Sequence, residues 1–163
     1  MLEDGPYQYR KVVFAGTFDH LHEGHKHIIR TAFKLSRFVA LGLTTDKMIE
    51  YKSDRKLIQS YDKRFAELQK FINSEFDESR SEIFPIETKE GGADKMEILD
   101  ALIVSDELGV VQNAFDINQM RSDNGLKRFH IIIIPRVRTS DGRPLSSSRI
   151  RRGESFREDE LIY

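Results

Sequence analysis

Val12-Val13-Phe14-Ala15-Gly16-Thr17-Phe18-Asp19-His20-Leu21-His22-Glu23-Gly24-His25 is the stretch whose reading decides the fold. Four apolar residues in a row, ending at a glycine, read as a short buried strand. From about Gly24 to Ser36 the pattern changes to helical spacing, with Ile28, Ile29, Ala32, Phe33 and Leu35. The same alternation continues along the chain. Strands are expected over Phe38–Leu43, Glu82–Ile86, Leu99–Val104 and Phe129–Ile134. Helices are expected from Ser60 to about Phe76, with Phe65, Leu68, Phe71 and Ile72 on the apolar side, and over Val110–Asp123. Asn124-Gly125 supplies a helix stop, Pro135 ends the last strand, and Ser146-Ser147-Ser148 caps a final helix. Near-continuous apolar strands alternating with helices predict an α/β fold: a five-stranded parallel sheet with helices on both faces, in a single domain spanning 1–163 with its core at about 11–154.

Composition sets the outer limits. The chain has 163 residues, no cysteine and a formal net charge of -1. Disulfides, thiolate metal sites and cysteine nucleophiles are thereby excluded. Near-neutral charge gives no general reason for binding nucleic acid or membrane. Residues 1–11 are polar and lack the apolar run of a signal peptide, and no apolar run is long enough to span a bilayer. A cytoplasmic protein is expected. Charge is nevertheless uneven. Six arginines and one acid lie between Arg136 and Arg152, whereas 73–90 is mostly acidic. Arginine without lysine points to planar recognition of phosphates. Interleaved aromatics for stacking bases are missing there, with only Phe156 nearby.

Ligands of parallel sheets bind beyond the carboxyl ends of the strands. The segments concerned are Gly16–His25, Thr44–Lys52, Glu87–Asp94, Ser105–Leu108 and Arg136–Arg149, with a loop expected near Tyr51–Ser60. In the first of them His22 and His25 are three apart and share a helix face. They stand at a helix start, where free N–H groups and the dipole favour a phosphate. Gly24 allows a close approach. Two imidazoles can donate hydrogen bonds to phosphate oxygens, and imidazolium would add charge. A metal reading needs a third ligand, and Glu23 faces elsewhere; His20 and His27 read as peripheral.

At this point a resemblance becomes usable. Gly16-Thr17-Phe18-Asp19-x-Leu21-His22-x-Gly24-His25 resembles the signature of the HxGH nucleotidyltransferase superfamily. Leu145-Ser146-Ser147-Ser148-Arg149-Ile150-Arg151 resembles its second signature, I-S-S-T-x-x-R, with Leu for Ile and Ser for Thr. Further stretches resemble the archaeal and eukaryotic type of phosphopantetheine adenylyltransferase. These are Gly42-Leu43-Thr44-Thr45-Asp46, Tyr61-x-x-Arg64, Val104-Ser105-Asp106-Glu107, and Ile117-Asn118-x-x-Arg121-x-x-x-Gly125-Leu126. The chain departs from that type at Leu108, where V-S-E-E-T ends in Thr, and at Gly92, where G-P-A has Pro.

The resemblance implies a Rossmann-like sheet and transfer of AMP from ATP to 4′-phosphopantetheine, giving dephospho-coenzyme A and pyrophosphate. It implies that His22 and His25 stabilise charge on the α- and β-phosphates. ATP would be held by Gly16, Thr17, Phe18, Gly24, His25, Ser105, Glu107, Ser146, Ser147, Ser148 and Arg149. The acceptor would meet Thr17, Lys52, Arg64 and Arg121. Lys52 is the candidate for bridging the two phosphates, with Lys47 and Lys56 as competitors. Magnesium would accompany ATP, held by phosphates and water, with no protein ligand assigned. The small-molecule partners are ATP and 4′-phosphopantetheine, with no nucleic acid and no membrane, and the resemblance implies a monomer. Two alternatives stay open. One is another acceptor within the superfamily (FMN, nicotinamide mononucleotide or glycerol phosphate). The other is a nucleotide-binding module without catalysis. Cytidylyltransferases usually carry R-T-x-G-I-S-T at the second signature, a form that Arg143-Pro144-Leu145-Ser146-Ser147-Ser148 lacks.

Overall fold

The computed structural model describes residues 6–163. The first five residues of the polar 1–11 segment lie outside the described ones. Strand β1 (Tyr9–Gly16) leads into helix α1 (Glu23–Leu35), then β2 (Ser36–Thr44), α2 (Tyr61–Glu75), β3 (Ser81–Ile86), β4 (Ala101–Ser105), α3 (Leu108–Asp123), β5 (His130–Ile134) and a short α4 (Ser147–Arg151). The sheet order is β3-β2-β1-β4-β5, and every pairing is parallel. The expected α/β, Rossmann-like sheet is the one observed. Several bounds shift by a few residues: β1 begins at Tyr9, β2 at Ser36, β4 at Ala101 and α3 at Leu108, and the loop after β2 contains a 3-10 turn at Arg55–Leu57.

Side chains alternate across β1, so its apolar run serves two cores. Val12 and Phe14 join Ile29 and Phe33 of α1 and Leu68, Phe71 and Ile72 of α2. Val13, on the opposite face, joins Ala40 and Leu102 with Ala114 and Ile117 of α3. Both faces of the sheet are therefore covered, as continuous apolar strands require. Ser60 caps α2 by accepting from the Lys63 N–H. Gly125 follows α3 at φ 74°, a left-handed position that suits glycine and stops the helix. Chain order reverses between β1 and β4, which lie side by side. That switch point opens a crevice at the carboxyl ends of the strands.

Candidate active site

A cavity of about 860 Å³ fills this crevice, within the range of small-molecule sites. All five expected strand-end segments contribute to its lining. Gly16, Thr17, Phe18, His22, Gly24 and His25 come from the first; Thr44, Met48 and Lys52 from the second. Gly91 and Ala93, then Ser105 and Glu107, then Ser146 and Ser147 come from the other three. Phe84, Ile86, Leu102 and Val104 supply apolar wall.

The two histidines are locked by the backbone that carries them. His22 is the N-cap of α1, and its Nδ1 accepts from the Gly24 N–H at 3.1 Å. The His22 N–H in turn donates to Nδ1 of His25 at 3.3 Å. The rings stack with centroids 3.8 Å apart. Since both Nδ1 atoms accept, the hydrogen-bond pattern assigns each ring proton to Nε2. Gly24 makes this possible. A Cβ there would lie 2.8 Å from Cε1 of His22 and 3.0 Å from its Nδ1, so any side chain would push the ring off its cap. The preceding loop is strained, with Phe18 at φ 50° and His20 at φ 46°. A bulky residue rarely adopts that conformation. It lets the Phe18 ring fill the space beneath Gly16 and pack on His25, with ring centroids 5.3 Å apart.

Burial changes the charge expected of these rings. It pushes the His22 pKa down to about 4, with Glu23 opposing and Lys26 assisting. His25 is driven well below its ordinary value, first by burial and then by His22. Of the two expected contributions, burial favours neutral donation through Nε2–H over imidazolium charge at neutral pH. Lys52 lines the cavity, whereas Lys47 and Lys56 are exposed outside it. The Lys52 pKa is lowered by burial and then by the charge of Arg151.

Several arginines lie elsewhere than the sequence suggests. Arg64 is fully buried, and it donates to the carbonyls of Thr17, Thr44 and Gln59 and to Asp46. Arg121 is equally buried, donating to the carbonyls of Ala93, Met96 and Lys127. Neither guanidinium reaches the cavity. Instead of the expected acceptor contacts, both hold the strand-end loops in place. Arg149 is also buried. It donates to Thr139 Oγ1, the Pro144 carbonyl and Glu154, away from the cavity, so it is not placed to hold a triphosphate. Ser148 points outward and receives a bond from Arg151. Ser146 and Ser147 do line the cavity. Ser146 caps α4, and Ser147 Oγ donates to the Asp19 carbonyl at 2.6 Å, fastening the two signatures together. Arg151, which stands at the arginine position of the second signature but has no role assigned from the sequence, is the one that reaches the first signature. Its Nη1 donates to Asp19 at 2.7 Å, and Asp19 is 1% exposed. Arg136, Arg138 and Arg143 pair with Asp106, Glu107, Asp141 or Glu154. The arginine-rich run is thus largely neutralised internally, not presented as an open phosphate-binding strip. Among the described residues, no three His, Cys, Asp or Glu side chains converge on a metal position.

The chain is similar to known proteins over nearly its whole length. The cytidylyltransferase-like family model matches residues 13–153. The phosphopantetheine adenylyltransferase of Thermococcus kodakarensis is 40% identical over 146 residues, 90% of this chain and 87% of that protein. That of Methanosarcina barkeri is 34% identical over 154 residues, 93% of this chain and 92% of the other. Among solved structures, a protein of unknown function from Archaeoglobus fulgidus aligns with a TM-score of 0.65 at 28% identity, covering 76% of this chain and 88% of its own. A tyrosyl-tRNA synthetase from the same organism shares the fold alone, with a TM-score of 0.61 at 12% identity over 87% of this chain and 60% of its own. A crevice at the switch point, a locked pair of histidines at a helix start and this breadth of similarity agree: the chain belongs to the phosphopantetheine adenylyltransferase family of the HxGH nucleotidyltransferases.

Proposed function

We propose that this nucleotidyltransferase moves AMP from ATP to 4′-phosphopantetheine, producing dephospho-coenzyme A and pyrophosphate. The carrying observation is the pair of neutral, stacked imidazoles whose Nε2–H groups are left for a ligand once backbone amides engage both Nδ1 atoms. In this reading an acceptor phosphate oxygen attacks the α-phosphorus of ATP in line, and the bond to the bridging oxygen of pyrophosphate breaks. A phosphate monoester is already anionic, so no strong base is required. Catalysis rests on positioning and on donors aimed at the charge that develops. His22 and His25 donate to the α- and β-phosphates. Lys52 faces both reacting phosphates, Thr17 meets the acceptor, and Ser105 and Glu107 lie toward the adenosine. Ser146 and Ser147, with the start of α4, replace the larger set that included Ser148 and Arg149. Magnesium enters with ATP as part of the substrate. The apolar wall formed by Phe84 and Ile86 suits the uncharged arm of the acceptor.

The identities of 34% and 40% over about nine-tenths of the chain support this acceptor. The test offers ATP and magnesium with phosphopantetheine, FMN, nicotinamide mononucleotide or glycerol phosphate in parallel and measures pyrophosphate. Release with phosphopantetheine alone is expected. Release with another acceptor alone overturns the substrate assignment, and none with any acceptor favours a module that only binds nucleotide.

A further inference from the structure

Asp54 lies in the loop between β2 and α2, two residues after Lys52. Its carboxylate is the near partner of Arg151, whose Nε donates to Asp54 Oδ2 at 2.6 Å. Arg151 is itself immobilised. Its side chain is 7% exposed, and its Nη1 donates to the buried Asp19. Asp19 is fixed in turn, since its Oδ1 accepts from the Gln59 N–H at 2.9 Å. Its carbonyl accepts from Ser147. The chain of contacts therefore runs from the first signature, through the last residue of the second, to the tip of the Lys52 loop. The base of that loop has separate supports. Asp46 accepts from the Tyr61 N–H and pairs with Arg55 and Arg64, while Ile49 and Ile58 are buried. Near the tip, Tyr51 is 83% exposed. Beside the Arg55–Asp46 pair, the charged tie there to another part of the chain is Asp54 to Arg151.

We propose that Asp54 is a positioning residue that clasps the tip of the Lys52 loop onto Arg151, so that Lys52 and both signatures hold one geometry. The inference rests on the reading of Lys52 as the cation facing the reacting phosphates. Asp54 acts in two ways. It fixes the backbone that carries Lys52, where misplacement by about 1 Å costs roughly 10²-fold in rate. It also places a negative charge beside Lys52, opposing the burial and the positive charges of Arg151 and Arg64 that lower the lysine's pKa, with Asp19 acting in the same sense as Asp54. Asp54 is the adjustable member of the group, because its side chain is 34% exposed while that of Asp19 is 1% exposed.

The test uses Asp54→Asn, which keeps the shape and removes the charge, and Asp54→Glu. Two readouts are taken: hydrogen exchange of residues 49–58 without ligands, and the pH profile of pyrophosphate release with phosphopantetheine. For Asp54→Asn, faster exchange in 49–58 is expected, with kcat down by about 10- to 100-fold and the KM for ATP within about threefold. The alkaline limb of kcat should move to lower pH, because Lys52 loses a charge that favours its protonated form. Asp54→Glu should restore most of both. Unchanged exchange overturns the clasp. Faster exchange with unchanged kcat and an unmoved alkaline limb overturns its link to Lys52. If the wild-type protein releases no pyrophosphate with phosphopantetheine, the proposed function fails, and the exchange readout alone decides whether Asp54 holds the loop.

Discussion

At the scale of single residues, function is concentrated where the backbone itself fixes a side chain. Gly24 is required by the ring of His22, not by its own conformation. Gly24→Ala should therefore separate stability from activity. Alanine favours a helix by about 1 kcal/mol over glycine, whereas its Cβ displaces His22 from its cap. We expect a thermal midpoint close to wild type with a clear loss of pyrophosphate release, read by calorimetry and a coupled assay. His25→Ala should keep the fold and lower turnover by about 10²–10³, the scale of one preorganised donor; near-normal turnover would remove His25 from the chemistry. The buried rings also set an acid limit. Both folded pKa values lie below the ordinary 6.5, so the unfolded chain binds more protons between that value and the His22 value of about 4. Stability rises with pH across this window and falls as pH drops through it. Thermal midpoints measured from pH 7.5 to 4 should decline below about pH 6.5, and less steeply for His22→Asn. The histidine motif is legible in sequence, but its charge state is not, because desolvation depends on what covers the rings. The alignment with the second signature favours Arg151 over Arg149, but the contacts of each depend on the helix that carries them. Two positions on a helix point about 200° apart, so Arg149 turns to Thr139 and Glu154 while Arg151 turns to Asp19 and Asp54.

Buried arginines, at the scale of elements, tie strand ends to helices. Arg64 holds the ends of β1 and β2 through the Thr17 and Thr44 carbonyls, and Arg121 gathers the loop that contains Gly91 and Gly92. Replacing Arg64 by Met leaves those carbonyls without a donor and should cost about 3–5 kcal/mol, the scale for breaking a buried charged pair, measured by urea unfolding. A stability near wild type would mean that Arg64 does not hold the strand ends. The signal for its burial is present in the sequence. Arg64, Leu68, Phe71 and Ile72 are the buried residues of α2, and Ala114, Ile117 and Arg121 those of α3. In each case the arginine occupies a position of the apolar stripe. Residue type argues for solvent and periodicity argues for the core, and periodicity prevails. Strand and helix positions are otherwise readable because β1, β2 and β4 are covered on both faces and so carry unbroken apolar runs.

For the whole molecule, one topological fact organises the rest. Chain order reverses at β1 and β4, so the glycine-ended first strand and the Ser105 strand end frame one crevice. The second signature arrives from the far end of the chain and is fastened by the Ser147 hydroxyl to Asp19. Parallel order is foreseeable from the alternation of strands and helices. The pairing-off of the arginine-rich run is not, because Asp106 and Glu107 come from another segment and Glu154 from beyond the run. The most direct test follows label from ATP carrying ³²P at the α-position, in wild type and in His25→Ala, with phosphopantetheine as acceptor. The account predicts that α-label enters the acceptor product in equal amount to pyrophosphate released, and that His25→Ala loses both together. Label that stays in free nucleotide, or transfer of the γ-phosphate instead, would contradict it.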